Sequence, residues 1–328
     1  MELYPLKFKP IFKEIVWGGS RMRTILGKSV AANKNIGESW ELSGVKGNLS
    51  VVSNGYLKGN NIEELIEVYM GELVGEKVYG RFGQEFPLLI KFIDANEPLS
   101  VQVHPDDATA AQRHHAYGKT EMWHVLDAEP NAELIVGFRK ETNLTEMLEH
   151  IEKNTLRDIL NVEPVKAGES YFIPAGCIHA IGKGLLIAEI QQTSDVTYRV
   201  YDWGRNLPNR PLHIDLAMDV ICYHAAQGHK IAPPQALNRP EPLASCPYFT
   251  TNKLTLTQGV RRSYAEMDSF VAYICTGGAA TVGCGGQSES VSKGETLLIP
   301  ASLAGELRLE PQGKAELLEV YIEECETF

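Results

Sequence analysis

Pro98-Leu99-Ser100-Val101-Gln102-Val103-His104-Pro105-Asp106-Asp107 alternates apolar and polar side chains up to a proline. A period of two predicts a half-buried β-strand. Ser100, Gln102 and His104 then project from one face, and Pro105, with no amide hydrogen for a ladder, ends the strand. A hydroxyl, an amide and an imidazole in a row fill an apolar core badly. They begin a metal site well, because such a site needs lone pairs converging from rigid elements.

Glu121 and His179 are the candidate partners. Glu121 leads into the β-forming stretch Met122-Trp123-His124-Val125-Leu126, and His179 follows the corner Pro174-Ala175-Gly176. Two imidazoles and a carboxylate are a common catalytic zinc set that leaves a position open for water or substrate. Gln102 is a rarer fourth ligand, and its neutrality preserves the Lewis acidity of the ion. Nitrogen and oxygen donors without thiolate suit zinc and also admit manganese, iron or cobalt. A histidine taken alone is ordinarily packed or hydrogen-bonded, and that reading is kept for His114, His115, His150, His213 and His229 and left open for His124.

Outward from this strand, Asn61 with Glu63 and Glu64 predicts a helix running to about Lys77. Further helices are expected from Pro105 through Ala116, from Asn143 to Lys153, and from Ile214 to Tyr223. Short β-rich segments separated by Gly, Pro and Asn fill most of the remainder, including 132–136, 170–173, 185–191 and 197–201. The proline-rich stretch 228–242 has the composition of an inter-domain linker, and beyond it 248–256, 270–275, 295–299 and 315–322 are strand-like. Gly168-Glu169-Ser170-Tyr171-Phe172-Ile173-Pro174-Ala175 recurs as Gly294-Glu295-Thr296-Leu297-Leu298-Ile299-Pro300-Ala301. The shared turn, buried strand and Pro-led exit fit a jelly-roll corner. Continued without gaps, His179 of the first copy falls opposite Gly305 of the second. The expectation is a mainly β chain of two cupin-like jelly-roll barrels with a few peripheral helices. Residues 1–235 would be catalytic, with helical additions, and residues 236–328 a degenerate copy.

Composition bounds the function. A chain of 328 residues, 44% hydrophobic and 22% charged, is that of a globular protein with a real core. No apolar run is long enough to span a bilayer, and no charged-then-apolar leader is expected at Met1. The six cysteines, at 177, 222, 246, 275, 284 and 325, form no Cys-x-x-Cys pair and predict reduced thiols in a cytoplasmic protein. A net charge of −11 argues against nucleic acid as a partner. A phosphate-bearing substrate would have to be drawn by a local basic cluster.

The same stretches carry a resemblance. Pro98 to Asp107, Gly118-Lys119-Thr120-Glu121-Met122-Trp123, 171–182 and Gln191-Gln192-Thr193-Ser194-Asp195-Val196-Thr197-Tyr198-Arg199-Val200-Tyr201-Asp202 resemble the type I mannose-6-phosphate isomerases, in their short bacterial form. The likeness runs from Phe12 to the linker and fades beyond it. It implies a zinc-dependent aldose–ketose isomerase with one Zn2+ per chain held by Gln102, His104, Glu121 and His179. It further implies an active-site arginine at Arg199, an active-site lysine at Lys119 and a phosphate-associated serine at Ser100. Only 57 residues separate Glu121 from His179, too few for the helical insertion of the long form. The implied substrate is a small hexose phosphate, with no nucleic acid, membrane or obligate protein partner.

Isomerisation moves a proton between C1 and C2 while negative charge develops on two oxygens. Arg199 suits either the enediolate or a phosphate, and Lys119 can bind phosphate or transfer protons. Two carboxylates compete for the role of base. Glu189 lies among apolar neighbours. Asp195 also has the character of a turn residue. On one continuous strand, Glu189, Asp195 and Arg199 would share a face. On ligand type alone an iron-dependent cupin oxygenase fits equally well, and a sugar-phosphate sensor without turnover is a third possibility.

Overall fold

The computed structural model describes residues 2–205 and 207–323. Its strands form three sheets. The largest N-terminal sheet has the spatial order Lys230–Ile231, Ser170–Ile173, Glu121–Ala128, Leu185–Gln192, Leu88–Ala95, Ile36–Ser43, Ile11–Gly19. A second, of five strands, runs Tyr198–Tyr201, Val101–Val103, His179–Ile181, Glu133–Phe138, Leu160–Pro164. All their ladders are antiparallel. The C-terminal part forms an eight-stranded sheet, and Leu6–Lys7 from the start of the chain joins it by pairing with Thr296–Ile299.

The mainly β, cupin-type architecture is as expected; closure into two barrels is not. Each described sheet has two free ends instead of a ring of paired strands.

The strand that opens the sequence reading is shorter and more deeply packed than predicted. Only Val101–Val103 is regular, and Val101 and Val103 pack into a second apolar cluster with Ile178, Tyr198 and Val200. Its other face, carrying Ser100 and Gln102, lines a cavity. The expected helix from Asn61 breaks into three pieces, Ile62–Tyr69, Gly71–Val74 and Glu76–Phe82. Asn61 and Glu64 form a reciprocal cap at its start. The breaks fall at Met70, with φ of 47°, and at Gly75, with φ of 99°. A side chain at Gly75 would strike the carbonyl of Asp268 at 2.2 Å, so the chain turns there to meet the C-terminal part. Asp107–His114 and Leu144–Glu152 form where the sequence placed them, capped by Asp106 and Asn143. The helix expected over 214–223 is only Ile214–Met218.

The repeated octapeptide folds alike in both places. Gly168 and Gly294 turn at φ of 91° and 87°. Glu169 and Glu295 accept from the amides of Lys166 and Ser292 at 3.0 and 2.8 Å. Each strand then exits at its proline. The stretch read as a linker pairs with both sides: Lys230 lies opposite Tyr171, and Pro240–Ser245 pairs with Thr250–Leu256. One apolar core cluster contains Phe86, Ile90 and Ala188 together with Phe270, Leu318 and Val320. A polar contact crosses the same interface, where Lys253 Nζ lies 3.4 Å from His124 Nε2 and 3.1 Å from Glu316. Among the described cysteines Cys222 is exposed, the other four are buried and all are free; Cys325 lies outside the described residues.

Candidate metal centre

Strand pairing brings the candidate ligands together. His179 lies opposite Gln102 in the five-stranded sheet, and Glu121 starts a central strand of the facing sheet, opposite Gln191 and Ile173. His104 follows its strand immediately, and its carbonyl accepts from Gly176 in the corner that delivers His179. The approach to Glu121 is pinned by Asp107, whose Oδ1 accepts from Gly118 N and Gln192 Nε2, both at 2.8 Å. Gln192 Oε1 in turn takes the amide of Thr120 at 2.9 Å.

Donor atoms of His104, Glu121 and His179 lie within 4.8 Å of one another, and all three residues are buried. Their tautomers follow from second contacts. His104 Nδ1 faces the carbonyl of Val196 and His179 Nδ1 that of Cys177, each at 2.9 Å. A carbonyl can only accept, so each Nδ1 carries the hydrogen and each Nε2 turns its lone pair inward. Burial, reinforced at His104 by Lys119, lowers the pKa of both rings, that of His179 to about 4, which keeps them neutral.

The donor set fits a cation. Glu121 Oε1 is buried with no hydrogen-bond partner among the described residues, and it faces the His179 lone pair at 3.4 Å. Lys119 Nζ lies 2.9 Å from His104 Nε2 and 2.5 Å from Glu121 Oε2, so an ammonium already answers the demand for positive charge. Gln102 turns its amide nitrogen to His179 Nε2 at 3.3 Å, while Ser100 Oγ donates to its oxygen at 3.2 Å. Half a turn of the amide would present oxygen instead. Trp123 stands edge-on to His179, with centroids 5.4 Å apart.

Beside the centre lies a cavity of about 330 Å³ lined by Ser100, Gln102, Lys119, Glu189, Asp195 and Arg199, among others. A larger cavity, about 530 Å³, lies beyond the Ser194-Asp195 wall and borders none of the candidate ligands. Glu189 is buried, and Trp123 Nε1 donates to its Oε2 at 2.9 Å while Lys91 Nζ faces its Oε1 at 3.0 Å. Burial alone would favour its protonated form, but Lys91 and then Lys119 outweigh that and hold Glu189 ionised. Glu121 bears the opposite consequence: burial and then the Glu189 charge push its pKa up.

Arg199 lines the same cavity from the other sheet. The chain leaves Leu185–Gln192, loops, and enters the other sheet at Tyr198, so the continuous strand expected to align Glu189, Asp195 and Arg199 does not exist. Asp195 is exposed in the connecting loop, at the rim of the cavity. Arg199 Nε donates to Ser100 Oγ at 3.2 Å and Nη1 to the Pro211 carbonyl at 3.0 Å. His213 fixes its backbone by accepting from Arg199 N and donating its own amide to Arg199 O. Arg205 is turned away, onto Asp202 and the Pro98 carbonyl.

Three further charged residues, which no sequence motif had singled out, line the cavity. Lys91, a lone charge inside the apolar run Leu88–Ala95, carried a signal; it is buried, and Glu189 and Glu38 overcome the effect of burial to keep it charged. Glu38 stands 3.7 Å from Lys91 and accepts from Trp40 Nε1. Arg210 lines the cavity while bonded to Asp202, and nothing local marked it.

Comparison with known proteins accords with this geometry. The family model for the phosphomannose isomerase type I catalytic domain matches residues 5–145. The mannose-6-phosphate isomerase of Streptococcus mutans is 34% identical over 98% of this chain and 99% of its own. The crystal structure of the mannose 6-phosphate isomerase from Bacillus subtilis superposes with a TM-score of 0.83 at 29% identity, covering 98% of this chain and 100% of that one. A structure from Archaeoglobus fulgidus at 21% identity shares the fold, with a TM-score of 0.79. On full-length identity, shared architecture and a His–Glu–His centre set in the matching scaffold, the chain belongs to the type I mannose-6-phosphate isomerase family.

Proposed function

We propose that this protein interconverts mannose 6-phosphate and fructose 6-phosphate with one divalent metal, zinc in first place, held by Gln102, His104, Glu121 and His179. The observation that carries the reading is the meeting of three buried ligands beside a cavity whose walls hold Lys119, Glu189 and Arg199. A bound zinc ion would supply Lewis acidity for the sugar carbonyl and for the charge that follows.

The chain's own groups account for the rest. Glu189, kept ionised beside Lys91, is placed to take the proton from one carbon and return it to the other. Trp123 and Lys91 hold its two oxygens, fixing the carboxylate's direction. Lys119, between Glu121 and the Glu189 carboxylate at 3.9 Å, supplies positive charge and a proton for the sugar oxygens. Arg199 and Ser100 form the anion end of the cavity, with Arg210 as a second guanidinium, and they suit the phosphate. Asp195 stands exposed at the rim of the same cavity, and this reading assigns the base to the buried Glu189 instead.

Residues 236–328 act as a structural module in this reading, since Gly305 stands where the first copy has His179. Free cysteines throughout the described chain support a cytoplasmic location. The test is a coupled assay of fructose 6-phosphate formation from mannose 6-phosphate before and after chelation, with metal analysis. Activity lost with the metal and restored by zinc supports the proposal; full activity in metal-free protein, or a requirement for O2, defeats it.

A further inference from the structure

Gln191 is a cavity residue that the mechanism above leaves unused. On Leu185–Gln192 the alternation sends Ala188 and Ile190 into the core shared with the C-terminal sheet, and Ile187, Glu189 and Gln191 to the other face. Gln191 pairs with Glu121 across the ladder and lines the cavity together with Glu189 and Lys119.

Its amide cannot turn. Nε2 donates to the carbonyls of Gln192 at 2.8 Å and Ser194 at 2.7 Å. Exchanged end for end, it would set its oxygen against two carbonyl oxygens with no hydrogen between them. Oε1 is therefore a fixed acceptor. Gln191 is fully buried, and no described residue donates to that oxygen. Buried acceptors are nearly always paired, so the missing donor is one that arrives with the ligand.

The surroundings narrow what that donor is. A phosphate dianion has no hydrogen to give, whereas a sugar hydroxyl has one. In the isomerase reading above the oxygens on C1 and C2 are engaged by the bound metal and Lys119, which leaves the remaining hydroxyls as donors. We propose that Gln191 Oε1 accepts a hydrogen bond from a non-reacting hydroxyl of the hexose phosphate, making Gln191 a residue that selects substrates carrying that hydroxyl. The inference rests on the isomerase reading above and adds a specificity determinant to it.

The test compares kcat/KM for mannose 6-phosphate with that for its 3-deoxy, 4-deoxy and 5-deoxy derivatives, in the metal-loaded wild type and in Gln191→Met. A site built around a hydroxyl rejects the analogue that lacks it, because its own polar atom is left bare. The wild type should disfavour one of the three by about 10- to 100-fold. Gln191→Met should lose activity on the parent sugar while treating that analogue and the parent almost alike. Gln191→Leu makes the same comparison if the Met variant does not accumulate as folded protein. The inference falls if the wild type accepts all three analogues within about threefold of the parent, or if the variant keeps the wild-type ratio; in both cases the isomerase reading stands. Absence of turnover on mannose 6-phosphate itself defeats that reading and this inference with it.

Discussion

Gln102 and His179 face each other directly across an antiparallel ladder, and their side chains meet with the amide nitrogen 3.3 Å from the imidazole Nε2. Backbone hydrogen bonds on both strands thus set the spacing of two candidate ligands before any ion binds. Pre-positioning of this kind lowers the ordering cost of coordination.

His179→Ala removes a lone pair from the middle of the set. Metal content should fall from about one ion per chain to near zero, beyond the roughly 10- to 100-fold loss of affinity that outer partners of ligands cause. Turnover should disappear with it. Elemental analysis of the purified variant decides the point, and stoichiometric metal with normal activity would remove His179 from the ligand set.

Arg199→Ala should separate binding of metal from catalysis. The guanidinium touches Ser100 and not the imidazoles, so metal content should stay unchanged. Turnover should drop by about two to four orders of magnitude if the arginine stabilises developing charge. Steady-state kinetics alongside metal analysis checks both halves.

Glu189→Gln keeps the size of the side chain and an oxygen for Trp123 but abolishes the base. Turnover should fall by about 10²- to 10⁴-fold, and exchange of the C2 proton with solvent deuterium should slow equally. Exchange at the wild-type rate would transfer the role elsewhere, with Lys119 the nearest candidate.

His124 makes stability depend on pH. Burial first, and then the neighbouring Lys253 charge, depress its pKa to about 3; Glu316 pulls weakly the other way, and Ser170 Oγ lies 2.9 Å from Nδ1. The unfolded chain, with a pKa of about 6.5, binds the proton that the folded chain refuses. Between those values the unfolded state carries more protons, so stability decreases as pH falls through the window and increases as it rises. Urea melts at pH 7 and pH 5 should differ by about 2 kcal/mol from this group. In His124→Gln that difference should shrink by a similar amount; an unchanged difference would refute the assignment.

The meeting of His104, Glu121 and His179, with Gln102 beside them, was legible because each sits in a local pattern: alternation around Gln102 and His104, a strand entry at Glu121, and a Pro-Ala-Gly corner before His179. The octapeptide repeat was legible for the same reason, since a turn glycine, a glutamate that caps the turn and an exit proline are all local devices. What escaped was decided at a distance. The Glu189-to-Arg199 spacing looked like one strand, yet the polypeptide crosses between sheets within it, so even offsets carried no facing information. The break at Gly75 depends on Asp268, nearly two hundred residues away in sequence. Arg210 entered the cavity through its bonds to Asp202, which no periodicity records.

The pairing of Leu6 with Leu298 bears on how the molecule is made. On the ribosome Leu6–Lys7 emerges long before its hydrogen-bonding partner Thr296–Ile299 has been made. Until then its edge groups stay unmatched, and the eight-stranded sheet can be sealed only late, after most of the N-terminal half has had time to settle. Nascent chains stalled before residue 296 should therefore be more exposed to proteases at their first residues than finished molecules.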